Sequence, residues 1–352
     1  MSNWYTSREA LKRAVGLFGT SRHAQIDRTV EAVSNSISKQ TRRRFIPETA
    51  TKLYKWPQRF SDNTTTLWTG ADLLSVTTLQ TKAQDTSPTT IASSDYFLEP
   101  NTYGPPYDRI EIDQSSTSSF ESGDTQQRSI SVLGSWGYSN NTSSAGTVVS
   151  GLSSSTTATT MVISDGSLID VGHTLLIESE QIFVSDRTSA AEPNNDLLDG
   201  VLTADRSETV TVDDGSRYFV NEVILVDAEQ MLITNITGNV LTVTRAYDGT
   251  TLASHSNNTA VHVFRSLTIE RGVNGTTAAT HANSTAISKY DVEYAIQELT
   301  ISMALAQLAQ EGASWGRQVG AGDGAFEFSG RSFNTYVDNM MHQWQRPREA
   351  AI

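Results

Sequence analysis

The chain has 352 residues, a net charge of −13 and no cysteine, so disulfide frameworks and thiolate metal sites are excluded. No apolar run approaches the roughly 18 residues of a membrane span, and the opening Met1–Thr6 lacks a signal-peptide pattern, so a soluble protein made in the cytoplasm is expected. Residues 1–60 carry 12 Lys/Arg against 4 Asp/Glu, a net +8 that leaves −21 for the rest, and a basic head on an acidic body favours one docking direction for a partner.

Thr6 and Glu9 form a capping-box pair, and Leu11, Val15 and Phe18 line one face of a short helix expected to stop at Gly19. Ser21 opens a second helix, in which Ile26, Val30, Val33 and Ile37 recur at spacings of four, three and four. Arg42, Arg43 and Arg44 close it where cations suit the helix dipole, and Phe45 begins extended chain. An arginine triplet without a reading helix reads as a helix end or a protein contact rather than a nucleic-acid reader. From Leu53 to Tyr138, short apolar runs such as Leu67-Trp68, Tyr96-Phe97-Leu98 and Ile130-Ser131-Val132 read as strands, with a bend at Pro105-Pro106. Ser139 to Thr160, dominated by Ser, Thr, Asn and Gly, reads as a linker.

Residues 161–287 contain repeats. Asp165-Gly166-Ser167 and Glu180-Gln181 return as Asp214-Gly215-Ser216 and Glu229-Gln230, both 49 residues later. Leu241–Arg245, Asp248-Gly249, His255 and Thr259–Val261 return 26 residues later as Leu267–Arg271, Asn274-Gly275, His281 and Thr285–Ile287. Asp-Gly and Asn-Gly are strong turn signals, so the region reads as a string of related β-hairpins with each repeated Glu at a turn. Ser288 to Gln310 then reads as a long helix, capped by Ser288 with Asp291, whose stripe Val292, Ile296, Leu299, Met303 and Ala306 wants neighbours in the N-terminal hairpin. After the glycine-rich stretch Gly320 to Gly330, residues Phe333, Tyr336, Val337, Met340, Met341 and Trp344 line a short amphipathic helix, followed by Arg346 and Arg348.

No constellation of catalytic chemistry accompanies these elements. Gly320-x-Gly322-x-Gly324 lacks the spacing of a nucleotide loop, and Asp213-Asp214-Gly215 is too short for a calcium loop. His255 and His281 have no further acid or histidine at ligand spacing, so they read as packing residues. The expectation is therefore no enzyme, no cofactor and no metal. Candidate partner-docking residues are Arg42, Arg43 and Arg44 together with Phe333, Tyr336, Met340, Met341, Trp344, Arg346 and Arg348, since aromatic, Met and Arg side chains are enriched at interfaces. The terminal helix either docks on a partner or folds back onto Leu305 and Leu308.

The segment Gln40–Phe45 resembles the opening of tailed-bacteriophage head-to-tail connector (adaptor, or head-completion) proteins. Leu73–Val76, Asp95–Pro100 and Leu133–Tyr138 are similar to their middle passages, in the same order. Residues 146–287 look like an insertion in that core. The resemblance implies an α+β fold, with a small helical bundle formed by the N- and C-terminal helices and a large β-rich insertion of repeated hairpins. The segments expected are 1–60, a helical hairpin; 61–145, β-rich core; 146–287, the inserted repeats; and 288–352, the closing helices and tail. It further implies a structural virion protein at the neck, assembled in the bacterial cytoplasm as a ring of about twelve-fold symmetry. Its partners would be the portal protein above and a stopper or tail terminator below, with DNA passing through the lumen without sequence-specific binding and with no membrane contact. The alternative is a β-repeat tail-fibre or host-surface-binding, adhesin-like component.

Overall fold

The structure, a computed structural model, describes residues 3–57, 64–191, 196–312, 318–319, 326–327 and 330–346. Strand makes up 36% of it and helix 23%, which overturns the expected helical bundle carrying a β insertion: the chain is built mainly of sheet. The described residues form four α-helices: α1 (Arg8–Val15), α2 (His23–Thr41), α3 (Tyr294–Gly312) and α4 (Gly330–Trp344). Each overlaps a stretch of helical periodicity. The bundle fails because the helical stripes find sheet as well as helix: Trp4, just ahead of α1, packs edge-on to Phe183 with ring centroids 5.5 Å apart, and the N–H of Arg8 donates to the carbonyl of Val171 at 3.0 Å.

Local chemistry also moves the helix ends. Ser7, not Thr6, caps α1 by accepting from the N–H of Ala10 at 3.0 Å, and Gly16 stops the helix in the left-handed region at φ +63°. Ser288 caps nothing. It lies in a strand, and α3 begins at Tyr294. The expected linker likewise contains a strand, Thr142–Ser150, whose Ser/Thr-rich composition hid it. The glycines at 320, 322 and 324 lie outside the described residues.

The chain divides into two compact units, Met1–Asn35, Thr142–Val273 and Thr277–Arg331 in one, and Ser36–Asn141, Asn274–Thr276 and Ser332–Ile352 in the other. Thus α1 and the first part of α2 share a unit with the repeats. The second unit holds β1 (Glu48–Tyr54), β2 (Thr66–Thr81), β3 (Thr89–Ile91), β4 (Tyr96–Glu99), β5 (Tyr107–Ile112) and β6 (Ile130–Trp136). They pair antiparallel in the order β1-β6-β2-β5-β4, with β3 on the end of β2. Leu67, Leu73, Leu79, Ile110, Ile130, Val132 and Trp136 form its core. Gly134 is required where β6 crosses β2, because a Cβ there would lie 2.2 Å from the Ser75 carbonyl oxygen.

The first unit carries a ten-stranded sheet made of β7 (Thr142–Ser150), β8 (Thr160–Ile163), β9 (Thr174–Ile177), β10 (Glu180–Ala191), β11 (Thr209–Thr211), β12 (Val223–Val226), β13 (Glu229–Thr237), β14 (Val240–Thr244), β15 (Val261–Glu270) and β16 (Ala286–Tyr290). The short pair β17 (Gln318–Val319) and β18 (Phe326–Glu327) completes the strands among the described residues.

The repeats are nested rather than strung in a row. In the inner module, β13 and β14 pair as Ile233↔Val243, Asn235↔Thr242 and Ile236↔Leu241, with a bulge at Thr234. In the outer module, β10 and the end of β15 pair as Val184↔Ile269, Asp186↔Thr268 and Arg187↔Leu267, with a bulge at Ser185. These are the same positions displaced by the two repeat offsets, and even the bulge hydroxyls match: Ser185 donates to Thr268 and Thr234 to Thr242. Thr237 and Val240 of the inner module face each other across the tight turn Gly238-Asn239. Their outer counterparts Thr188 and Ser266 are separated instead by the whole inner module. Each module buries its own core, with Leu175, Ile177, Ile182, Val184, Leu267 and Ile287 in the outer one and Ile224, Val226, Met231, Ile233, Leu241 and Val261 in the inner one.

Excising residues 189–265 and joining Thr188 to Ser266 through Gly-Asn should recreate the inner turn in the outer hairpin. The shortened chain is expected to stay soluble, keep its β-type circular dichroism and melt cooperatively; aggregation or loss of the β signal would show that the outer module needs the inner one to fold.

Candidate functional site

Most of the expected docking residues gather in the second unit around one carboxylate. Arg42 leaves α2 with φ +56°, so the chain turns sharply at the triplet. The Arg43 guanidinium donates to both oxygens of Asp72 at 3.2 Å and lies 5.0 Å over the Tyr138 ring. Arg346 approaches the same carboxylate at 3.5 Å, while its N–H donates to the Thr41 carbonyl at 2.9 Å. Trp344 meets the rings of Phe45 and Tyr138 edge-on, at 5.9 and 5.3 Å. Arg44 pairs instead with Glu48 at 3.0 Å and donates to Asn274 at 3.1 Å. Burial pushes the Asp72 carboxyl up, and the positive fields of Arg43 and Arg346 only partly offset this.

Within the second unit, helix α4 folds back onto the end of α2 and the aromatic pair Phe45 and Tyr138. Met341 is buried, Phe333 and Met340 are half-buried and Tyr336 is exposed. Arg348 lies outside the described residues. Lys39, Gln40, Arg42, Asp338, Met341, His342 and Gln345 line a shallow, mostly polar groove of about 290 Å³ beside the cluster. Arg43 Nε, Arg44 Nε and Trp344 Nε1 are buried without a hydrogen-bond partner among the described residues, and Arg346 Nη1 has only its longer ion pair with Asp72.

The repeated Glu residues proved to be something the sequence reading missed. Glu180 receives Arg271 through two hydrogen bonds and the N–H groups of Gly272 and Ala279 at 3.0 Å each. Glu229 receives Arg245 likewise, with the N–H groups of Ala246 and Ala253 at 2.9 and 3.1 Å. His281 and His255 complete the two knots: their Nε2 atoms lie 2.8 and 2.9 Å from Glu180 and Glu229, and their Nδ1 atoms face the exposed Glu178 and Asp227. The packing role expected of both histidines is thus located, and the turns begin two residues before the repeated glutamates, at Glu178 and Asp227 with φ +54° and +53°. The common recurrence of Glu, Arg and His in both repeats was the available signal. Burial would raise each glutamate, but the arginine, histidine and backbone N–H groups hold both at about 2. No group of three or more His, Asp or Glu among the described residues is placed to hold a metal ion.

A second charged network fastens α1 to the modules within the first unit. Arg8 forks onto Asp27 at 2.6 and 2.8 Å and reaches Asp186 at 2.9 Å. Lys12 pairs with Asp248 at 2.8 Å, and Ser7 and Arg13 both donate to Asp170 at 3.2 Å. Glu9 accepts the Val171 N–H at 3.0 Å. Part of its surface reaches solvent, yet the protein packed around its carboxyl and the nearby Asp170 charge raise it to about 7.

These shifts act with opposite signs on stability. Glu180 and Glu229 are depressed, so their contribution is complete above the ordinary carboxylate range and is lost only as pH falls towards 2. Glu9 is raised, so its folded state prefers the proton and loses stability as pH climbs from about 4.5 to 7. Melting curves from pH 3 to 8 should therefore show Glu9→Gln gaining on the parent chain as pH rises from about 4.5 to 7, with the gain levelling off above that. Glu229→Gln should be destabilised across the range, because it leaves Arg245 buried without its charge partner, a loss of about 3 kcal/mol. Truncation after Gly330 tests the folded-back helix. Removing Met341 and Trp344 costs ~2–5 kcal/mol each where they are buried, so the melting temperature should drop by several degrees; an unchanged value would mean that α4 contributes nothing to the fold.

No helix among the described residues is long and apolar enough to cross a membrane. No family model, curated protein or solved structure matches the chain.

Proposed function

We propose that the chain is a structural subunit of a tailed-bacteriophage head-to-tail connector, an adaptor ring beneath the portal that extends the DNA channel and joins head to tail. The observation that carries this reading is the convergence on Asp72. The resembling segments Gln40–Phe45 and Leu133–Tyr138 are distant in sequence, yet Arg43 and Tyr138 meet there, joined by Trp344 and Arg346 of the C-terminal region. A conformation shared through such convergent packing is what a common connector core would require. The exposed Lys39, Arg42 and His342 that line the groove suit acidic segments of a portal protein or of a tail-side stopper or terminator. The role is assembly rather than catalysis. An acidic body of net −21 favours a lumen wall that repels DNA phosphates instead of gripping them.

Immunogold labelling of virus particles with antibody against the chain tests the reading. Label confined to the head–tail junction is the expected result; label at fibre tips, over capsid faces or absent from particles would sink it.

A further inference from the structure

Both modules carry the same loop ahead of their central hairpin, residues 169–173 in the outer and 218–222 in the inner. The hydrogen bonds repeat one for one. The N–H of Asp170 donates to His173 and that of Phe219 to Glu222, both at 2.9 Å. The N–H of Gly172 donates to Val184 and that of Asn221 to Ile233, both at 2.8 Å. What differs is the occupant. The outer loop lies under the start of α1, so Val171 is fully buried, its carbonyl accepting from Arg8 and its N–H donating to Glu9. No helix covers the inner loop: Phe219 is 42% and Val220 41% exposed, and the Arg265 guanidinium lies 5.5 Å from the centroid of the Phe219 ring.

The chain's own first helix is shut out of the inner loop. Phe219 replaces Asp170, the acceptor for Ser7 and Arg13. Asn221 replaces Gly172, where a Cβ would lie 2.2 Å from the Trp4 ring. The same unit exposes a second apolar patch at the turn between α1 and α2, where Val15 is 45% and Phe18 68% exposed. Arg13 and Arg22 flank that patch in the exposed surface, whereas Asp199, Asp205, Glu208 and Asp213 are exposed on the inner module. The two patches are separated along the length of β12. Phe18 and Gly19 lie against Asp248 and Gly249 beyond β14, and the inner loop precedes β12, whose four residues span about 13 Å.

We propose that Val15 and Phe18 of one molecule dock on Phe219 and Val220 of another molecule of the same chain, head to tail, with the basic helix turn facing the acidic inner module. Apolar side chains form the contact centre, and the opposed charges steer and orient it. A head-to-tail contact between identical chains repeats and closes into a ring when its rotation allows. The contact supplies a surface for the ring of the connector reading and rests on that reading for closure.

The test uses full-length Phe18→Asp and Phe219→Asp chains in sedimentation velocity. The parent chain should self-associate, and each variant alone should associate about thirty-fold more weakly, as expected for an interface anchor. Mixed in equal amounts, the variants should form a heterodimer and nothing larger, because one intact patch of each kind remains between them; this recovery also shows that both are folded. A mixture that stays monomeric, a parent chain that stays monomeric, or variants that associate like the parent would each overturn the contact. The connector reading is judged separately by the position of the gold label, so rings that survive both substitutions at a labelled neck would remove this contact and leave that reading intact.

Discussion

The carboxylate–guanidinium knots at Glu180 and Glu229 are what the repeat unit depends on. Each gathers an arginine, a histidine and two backbone N–H groups from segments that are separate in sequence, Arg271 lying 91 residues beyond Glu180. A buried carboxylate is tolerable only when its lone pairs are filled and its charge is opposed, and both conditions are met twice. Once Glu180 is buried, Gly272 and Ala279 must come to it, and the chain between them has to form the tip that carries Asn274-Gly275. The Glu229 knot does the same for the tip at Asp248-Gly249. Because Asp248 holds Lys12 and the N–H of Gly19, the knot also fixes the turn that follows α1.

Nesting explains how one unit accommodates two copies of a module without a linker between them. Thr188 and Ser266 are neighbours across the outer ladder, so an insertion at that point begins and ends at nearly the same place and disturbs neither core. Strand β15 carries the join: its first residues pair with β12 of the inner module and its last with β10 of the outer. With backbone bonding preserved, the equivalent loops are free to differ in side chain. One binds α1 through Asp170 and Gly172, and the other presents Phe219 and Val220.

The second unit uses its charge differently. Asp72 is a single acceptor shared by Arg43 and Arg346, and aromatic faces from Phe45, Tyr138 and Trp344 surround them. A guanidinium lying over a ring and forked onto a carboxylate has few alternative positions, so Arg43 acts as a geometric pin between the end of α2 and the sheet. Arg43 Nε, Arg44 Nε and Trp344 Nε1 have no acceptor among the described residues, unlike the arginines of the saturated knots in the repeats.

The sequence by itself determined where the four helices lie, that β-strands fill the middle of the chain, and that residues 49 and 26 apart are equivalent, because helical and strand periodicities and turn residues are local properties. It also marked Arg42–Arg44 and the Phe333–Trp344 stripe as one chemical class. Tertiary structure decided what each surface faces. A helical stripe specifies an apolar neighbour without saying whether that neighbour is helix or sheet, and this is why a bundle was expected where α1 meets a β-loop. Thr- and Ser-rich strands such as β7 carry too little apolar alternation to separate from linker, so the sheet was underestimated. The two repeat offsets, read separately, suggested successive hairpins; only the pairing of Val184 with Ile269, across 85 residues, shows one module opened to admit the other. That information is absent from any short window, because a hairpin's register depends on which strand returns to it, and here the returning strand arrives only after a second module has folded in between.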